Sequence, residues 1–183
     1  VMNEYGGNQV QLTNDTSDDY LPKWSPDGTQ IAYRRQVSSS LQLWIMGSDG
    51  SNKRQIVTSE GPYDIAWHPD SQTILFVHSG NSFSAIQVDG TNETIVYEHT
   101  PFSGTHGTNL FDLNDEGSEI VYAFEDVNWT PYKELFLYDL LSGVRTKIFG
   151  SDSHKDTAAC FSPDSSNIIW RTDSDTNPNN NTN

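Results

Sequence analysis

The 183-residue chain carries 25 Asp and Glu against 10 Lys and Arg, a formal charge of −15 at pH 7. A surface this negative repels phosphate backbones and anionic headgroups, which excludes nucleic acid and anionic membrane surfaces as partners. Cys160 is the single cysteine, so no disulfide closes within the chain, and no apolar run approaches the ~20 residues of a membrane span.

In chain order, the first strong signal is Trp24-Ser25-Pro26-Asp27-Gly28, a large apolar residue running into a polar turn. It returns as Trp67-His68-Pro69-Asp70-Ser71, Leu113-Asn114-Asp115-Glu116-Gly117 and Phe161-Ser162-Pro163-Asp164-Ser165, at intervals of 43, 46 and 48 residues. Pro and Asp preset turn geometry. Three residues beyond each turn stands an isoleucine (Ile31, Ile74, Ile120, Ile168), and two further on an aromatic (Tyr33, Phe76, Tyr122, Trp170). Residues two apart share one face of a strand. The residues between them (Ala32, Leu75, Val121, Ile169) are apolar too, so each strand is predicted to be covered on both faces.

A second element follows in each unit. Leu41–Met46, Ser84–Val88 and Leu135–Tyr138 each run into an Asp/Gly-rich hairpin, and Val1–Asn8 aligns with Ile45–Asn52. Short last strands are expected at Gln9–Leu12, Arg54–Val57, Thr94–Tyr97 and Thr146–Ile148. No segment sustains a 3.6-residue period.

Four short antiparallel strands in each ~43–48 residues, repeated in register, predict an all-β fold, a β-propeller of four-stranded antiparallel blades. Blades are expected at about 18–57, 61–97 and 107–148, with a partial one at 154–172, so that residues 1–172 form an incomplete propeller and 173–183 a polar, disordered tail.

Tyr20 to Tyr33, followed by Leu43-Trp44-Ile45-Met46-Gly47-Ser48-Asp49-Gly50, resembles the TolB-type propeller repeat, the Trp-Ser-Pro-Asp-Gly relative of the WD blade. The third unit departs from it at Leu113 and Asp115. The resemblance implies a six-bladed ring and an exported, periplasmic or extracellular, protein. Its relatives include TolB, the propeller gates of prolyl-oligopeptidase-like serine peptidases, and oligogalacturonate lyases. It carries over no site residue, because the aligned positions are those of turn and core.

Chemistry is sparse. No Gly-x-Ser-x-Gly elbow occurs, and Gly80-Asn81-Ser82-Phe83-Ser84 lacks the second glycine. Asp15, Asp18 and Asp19 crowd one loop, as solvated turn residues or as oxygen ligands for calcium. Seven residues before each turn's apolar residue stand Ser17, Glu60, His106 and His154. These positions begin the innermost strands, which line a propeller's channel, so they form the expected ligand site at the channel mouth, with the two histidines available to a metal. No cofactor is required. The expectation is a non-enzymatic propeller that binds a protein or small ligand at this mouth. The alternative is the propeller part of an enzyme, a peptidase gate or a lyase using channel histidines and a metal.

Overall fold

The computed structural model describes residues 1–57, 62–78, 82–98, 111–125, 133–149 and 154–174, and none of these is helical. The first sheet contains β1 (Asp19–Trp24), β2 (Gln30–Val37), β3 (Ser40–Gly47) and β4 (Arg54–Val57). The second contains β5 (Ile65–Trp67), β6 (Thr73–Val77), β7 (Ser82–Gln87) and β8 (Thr94–Glu98). The third contains β9 (Phe111–Leu113), β10 (Glu119–Glu125), β11 (Lys133–Asp139) and β12 (Arg145–Phe149). Each of these sheets runs in simple sequential order, and β13 (His154–Phe161) pairs with β14 (Ile168–Ser174) as a two-stranded sheet. The chain forms two compact units, Val1–His78 with Ser84–Thr94, and Ser79–Phe83 with Ile95–Asn183.

The repeated turns explain the repeated sheets. Gly28, Ser71, Gly117 and Ser165 occupy one register position, and all four take positive φ, between 56° and 73°. Glycine adopts this conformation freely, whereas serine does so at a cost. Each serine gains a bond to the preceding sheet's turn. Asp27 N–H donates to Ser71 Oγ at 3.1 Å, and Asp115 N–H donates to Ser165 Oγ at 2.8 Å. Inside the first turn, Ser25 Oγ accepts from Gln30 N–H and Asp27 Oδ1 from Thr29 N–H. The divergent third turn keeps this pattern with one residue, since Asn114 Oδ1 accepts from both Ser118 and Glu119 N–H.

The Ile and aromatic positions are buried as the two-residue spacing predicts: Ile31, Tyr33, Ile74, Phe76, Ile120 and Tyr122 are all at most 3 % exposed. In unit one, Leu43, Ile45, Ile56 and Val57 share a cluster with Ile65, Trp67, Ile74, Phe76 and Ile86, so adjacent sheets pack face to face. Trp67 is 9 % exposed, and its indole N–H donates to the Lys23 carbonyl at 3.0 Å. In unit two, Asp112 stands at the register position of Lys23, and its Oδ2 accepts from Phe161 N–H at 2.9 Å. The side chain there does what the carbonyl does for Trp67, because Phe161 has no indole N–H to offer.

Three expectations are corrected. The first is that Trp24, at the register position of the buried Trp67, is expected to be buried as well; it is 52 % exposed, and among the described residues no strand precedes β1 for its indole to lie against. Gln9–Leu12 is not a strand; Val1 and Val10 exchange two backbone bonds of 2.8 Å, and pairing goes no further. The fourth Ile-x-aromatic set is open, with Trp170 44 % exposed, because among the described residues no third strand pairs with β14.

Truncating Trp67 to Ala should destabilise the chain by about 3–5 kcal/mol, the usual range for a buried aromatic. Trp67→Phe should cost much less, since it keeps most of the packing and forfeits chiefly the bond to Lys23. Denaturant unfolding monitored by circular dichroism measures both, and an effect of Trp67→Ala below about 1 kcal/mol would show that the indole does not join the two sheets.

Candidate functional site

The four mouth positions are placed unequally. Ser17 lies half-buried in a bend before β1, its N–H donating to Asp15 Oδ1 at 3.0 Å. His154 opens β13, opposite Ser174 in the strand register. Glu60 and His106 lie outside the described residues.

Around Ser17 the structure builds a cationic clamp. Arg35 projects from β2 and is buried, its Nε donating to Asp19 Oδ1 at 2.7 Å and its Nη2 to Asp19 Oδ2 at 2.9 Å. The same Nη2 lies 2.8 Å from Asp15 Oδ2. The guanidinium sits over the Tyr33 and Trp44 rings, at 5.5 and 4.8 Å from their centroids. The planar fork suits both a bidentate carboxylate and an aromatic face. Hydrogen bonding to Asp19 pushes the guanidinium pKa further above its ordinary value. Burial raises the Tyr33 phenol to about 12, so it stays neutral.

This clamp decides between the two readings of the acidic loop. Asp15 and Asp19 neutralise a guanidinium, and Asp18 accepts from Tyr20 Oη at 3.3 Å. Among the described residues no group of three or more His, Cys, Asp or Glu side chains is arranged to hold a metal ion. The calcium reading is corrected on that ground: the carboxylates converge on Arg35.

Sequence reasoning passed over one constellation. His78 Nε2 lies 2.9 Å from Ser84 Oγ and 3.4 Å from Glu93 Oε1. The residue types are those of a hydrolytic triad, but the geometry is not. A relay needs the serine on one ring nitrogen and the acid on the other. Here both partners meet the same nitrogen, and Ser84 has no exposed surface for a substrate to reach. The hydroxyl and imidazole therefore satisfy each other inside the second sheet, beside the Phe76 ring 4.7 Å from that of His78. The sequence signal was the polar pair flanking the β6–β7 connection. A polar cleft of about 500 Å³ also lies at one end of the first sheet, among Gln30, Met46, Asp49, Asn52 and Arg54.

The turn carboxylates have a common electrostatic signature. The Ser25 hydroxyl holds Asp27 below the ordinary carboxylate range, and the Ser162 hydroxyl, then Ser166, hold Asp164 down to about 2.

No family model matches the chain. Among curated proteins it is similar to the uncharacterized peptidase YuxL of Bacillus subtilis, 25 % identical over 169 residues, covering 90 % of this chain and 23 % of that protein. It is likewise 25 % identical over 219 residues to dipeptidyl-peptidase 5 of Porphyromonas gingivalis, covering 93 % of this chain and 32 % of that one. The chain thus spans a third or less of the length of these relatives.

Solved structures with the same fold include TolB from Acinetobacter baumannii, at TM-score 0.72 and 14 % identity, over 92 % of this chain and 41 % of that one. Puromycin hydrolase matches at TM-score 0.71 and 17 % identity, over 90 % and 26 %. An oligogalacturonate lyase in complex with manganese matches at 0.62 and 14 %, over 87 % and 55 %. The fold is TolB-like propeller.

The expectation of a non-enzymatic protein is corrected by the curated relatives, both of which are peptidases. Blade motifs record turns and cores, so chemistry housed elsewhere in a protein leaves no mark on them.

Two outcomes follow from the site. Arg35→Ala should cost about 3–5 kcal/mol, because Asp19 is left without its buried partner. It should also open residues 14–18 to limited proteolysis, and an unchanged unfolding midpoint would show that the clamp carries no stability. The depressed turn carboxylates add to the fold's sensitivity to acid. Their contribution is complete above the unfolded aspartate value of about 4 and is lost as pH falls towards about 2. Urea midpoints measured through that window should drop, and Asp27→Asn with Asp164→Asn should flatten the drop.

Proposed function

We propose that this chain is the propeller part of a peptidase-type hydrolase, a non-catalytic wall that limits access to a serine nucleophile supplied from outside these 183 residues. The observation that carries the reading is the pair of peptidase relatives, each matching at least nine-tenths of this chain. The likeness in fold to puromycin hydrolase supports it. So does the enclosure of Ser84, which removes the one serine–histidine pair on the described residues from contact with substrate.

In this reading the chain contributes blades to a larger propeller, six-bladed by the TolB resemblance. Its ligand is a peptide. Ser17, Glu60, His106 and His154, which share one register position of the repeat, are the residues that meet it at the channel mouth. Location is periplasmic or extracellular, following the TolB likeness.

The test uses the polypeptide encoded by the complete reading frame. A fluorophosphonate probe should label one serine outside residues 1–183, and labelling should track hydrolysis of short fluorogenic peptides. The 183-residue chain alone should take no label. A complete polypeptide that neither labels nor cleaves peptides would overturn the reading.

A further inference from the structure

One arginine stands out of pattern where the first two sheets meet. Three residues beyond Ile74 and Ile120 the repeat places Val77 and Ala123, both buried. In the first sheet the same position is Arg34. A charged side chain at a position the repeat otherwise fills with an aliphatic one marks a place kept for something other than packing.

Only part of its guanidinium is used. Nη1 donates to the Tyr63 carbonyl at 2.6 Å, and Nε is buried without an acceptor. Among the described residues no carboxylate is paired with it. The edge formed by Nε and Nη2 is therefore left over. Arg35, the next residue, forks Asp19 over this same edge, with bonds of 2.7 and 2.9 Å. A carboxylate on the Arg34 edge would repeat that bidentate geometry and give the buried Nε the acceptor it lacks.

Two tyrosines flank the fork. Tyr20 and Tyr63 occupy one register position of neighbouring sheets, three residues beyond Ser17 and Glu60. Tyr63 has the first sheet beside it and is 41 % exposed, Tyr20 44 %, so the exposure is a property of the position. The same irregularity aims both rings. In β1 the register shifts between Tyr20 and Lys23, around Leu21 with its φ of 49°, and Tyr20 rather than Leu21 comes to stand opposite Arg34. In the second sheet Tyr63 N–H donates to the Val77 carbonyl and Val77 N–H to the Asp64 carbonyl, so two residues again oppose one. A left-handed leucine is costly, and bulges of this kind re-aim side chains beside binding sites. Ala32, on the face of Arg34, packs in one cluster with Ile65 and Trp67, so Arg34 and Tyr20 are turned towards the second sheet. Arg171 repeats the arginine in β14, but Thr157 stands there in place of the tyrosine.

The carboxylates nearby are engaged. Asp18 Oδ2 accepts from Tyr20 Oη at 3.3 Å, and the buried Asp64 accepts from Ile65 N–H at 2.9 Å. Burial holds the Arg34 pKa below its ordinary value while Asp64 opposes that shift, and the guanidinium stays charged.

We propose that Arg34, walled by Tyr20 and Tyr63, binds a carboxylate of the ligand, with the two rings packing on the groups beside it. The inference rests on the peptide reading above for the class of ligand, and the carboxylate is a C-terminus or an acidic side chain. Exposed side chains change rotamer rapidly, so the tyrosines can open to admit an acceptor to Nε. An acidic surface repels carboxylates elsewhere, so the site selects by its fork and not by net charge.

Binding is measured on the polypeptide encoded by the complete reading frame, treated with a fluorophosphonate so that serine-dependent turnover does not consume the probe. The probes are acetyl-Ala-Phe with a free C-terminal carboxylate, the same dipeptide as its amide, and acetyl-Glu-Phe amide, whose one carboxylate is on a side chain. In saturation-transfer NMR titrations, an acid probe should bind about tenfold more tightly than acetyl-Ala-Phe amide, and the acid preferred tells C-terminus from side chain. Arg34→Val, which takes the residue of the second sheet, should abolish the preference and leave the unfolding midpoint unchanged or raised. Arg34→Lys keeps the charge and loses the fork, and should weaken binding of the acid by about threefold or more. Equal binding of acids and amide would overturn the proposal. So would native affinity in Arg34→Lys together with a lowered midpoint in Arg34→Val, the behaviour of an arginine that only ties Tyr63 to the first sheet. The readout is affinity with the nucleophile blocked, so its failure is distinct from failure of the peptidase reading, which is read by serine labelling.

Discussion

The hydrogen bond that ties the end of one inner strand to the next is the contact on which the rest of the structure depends. In unit one, the Trp67 indole reaches the Lys23 carbonyl 44 residues earlier. In unit two, the Asp112 carboxylate takes the N–H of Phe161, 49 residues on. Sheets apolar on both faces have no stable state in isolation, because each exposes as much apolar surface as it covers. A directional bond at the inner edge sets where one sheet lies on the next, and the non-directional packing of Ile45, Ile65, Ile74 and Phe76 then follows. The serine hydroxyls at Ser71 and Ser165 add a second directional link of the same kind.

The charge pattern is consistent with this division of labour. Cations are scarce, and Arg35 is enclosed among aromatic rings with two carboxylates on its fork. In unit two, Arg145 lies 4.4 Å from the Phe136 centroid and donates to Tyr97 Oη at 3.2 Å, at the border of a cluster containing Phe83, Phe111, Tyr122 and Tyr138. Lys147 pairs with Glu134. Many of the acidic side chains, by contrast, sit in turns, where neighbouring hydroxyls and backbone N–H groups hold Asp27, Asp49, Asp89, Asp139 and Asp164 below the ordinary carboxylate range. The surplus negative charge is thus structural at the turns and solvating elsewhere.

Function is carried by a different kind of observation. The repeat describes a scaffold that proteins with different chemistry share, from TolB to a hydrolase to a lyase. The described residues add one negative of weight: the Ser84–His78 pair has the chemistry of a nucleophile and its base but neither the access nor the ring geometry. The peptidase relatives, of which this chain spans a third or less, bear on function where the blade motifs do not.

By itself the sequence determined strand positions, pairing order and face alternation, because these are local: an isoleucine and an aromatic two residues apart must share a face, and a Pro-Asp-Gly turn must reverse the chain. It also aligned Val1–Asn8 with Ile45–Asn52, and in the structure Gly6 and Asn8 take the same positive φ as Gly50 and Asn52. Tertiary structure decided what lies across a distance. The apolar pattern marks Trp24 and Trp67 alike, yet one is exposed and the other buried, since burial depends on whether another sheet stands beside the strand. The acidic loop resembled a cation site until Arg35, 16 residues from Asp19, filled it. The third turn departs from the motif at Leu113 and Asp115, and only the geometry shows the Asn114 amide oxygen between them doing the work that Ser25 and Asp27 share. Periodicity records which way a side chain points; what it meets there is settled by packing of elements distant in sequence.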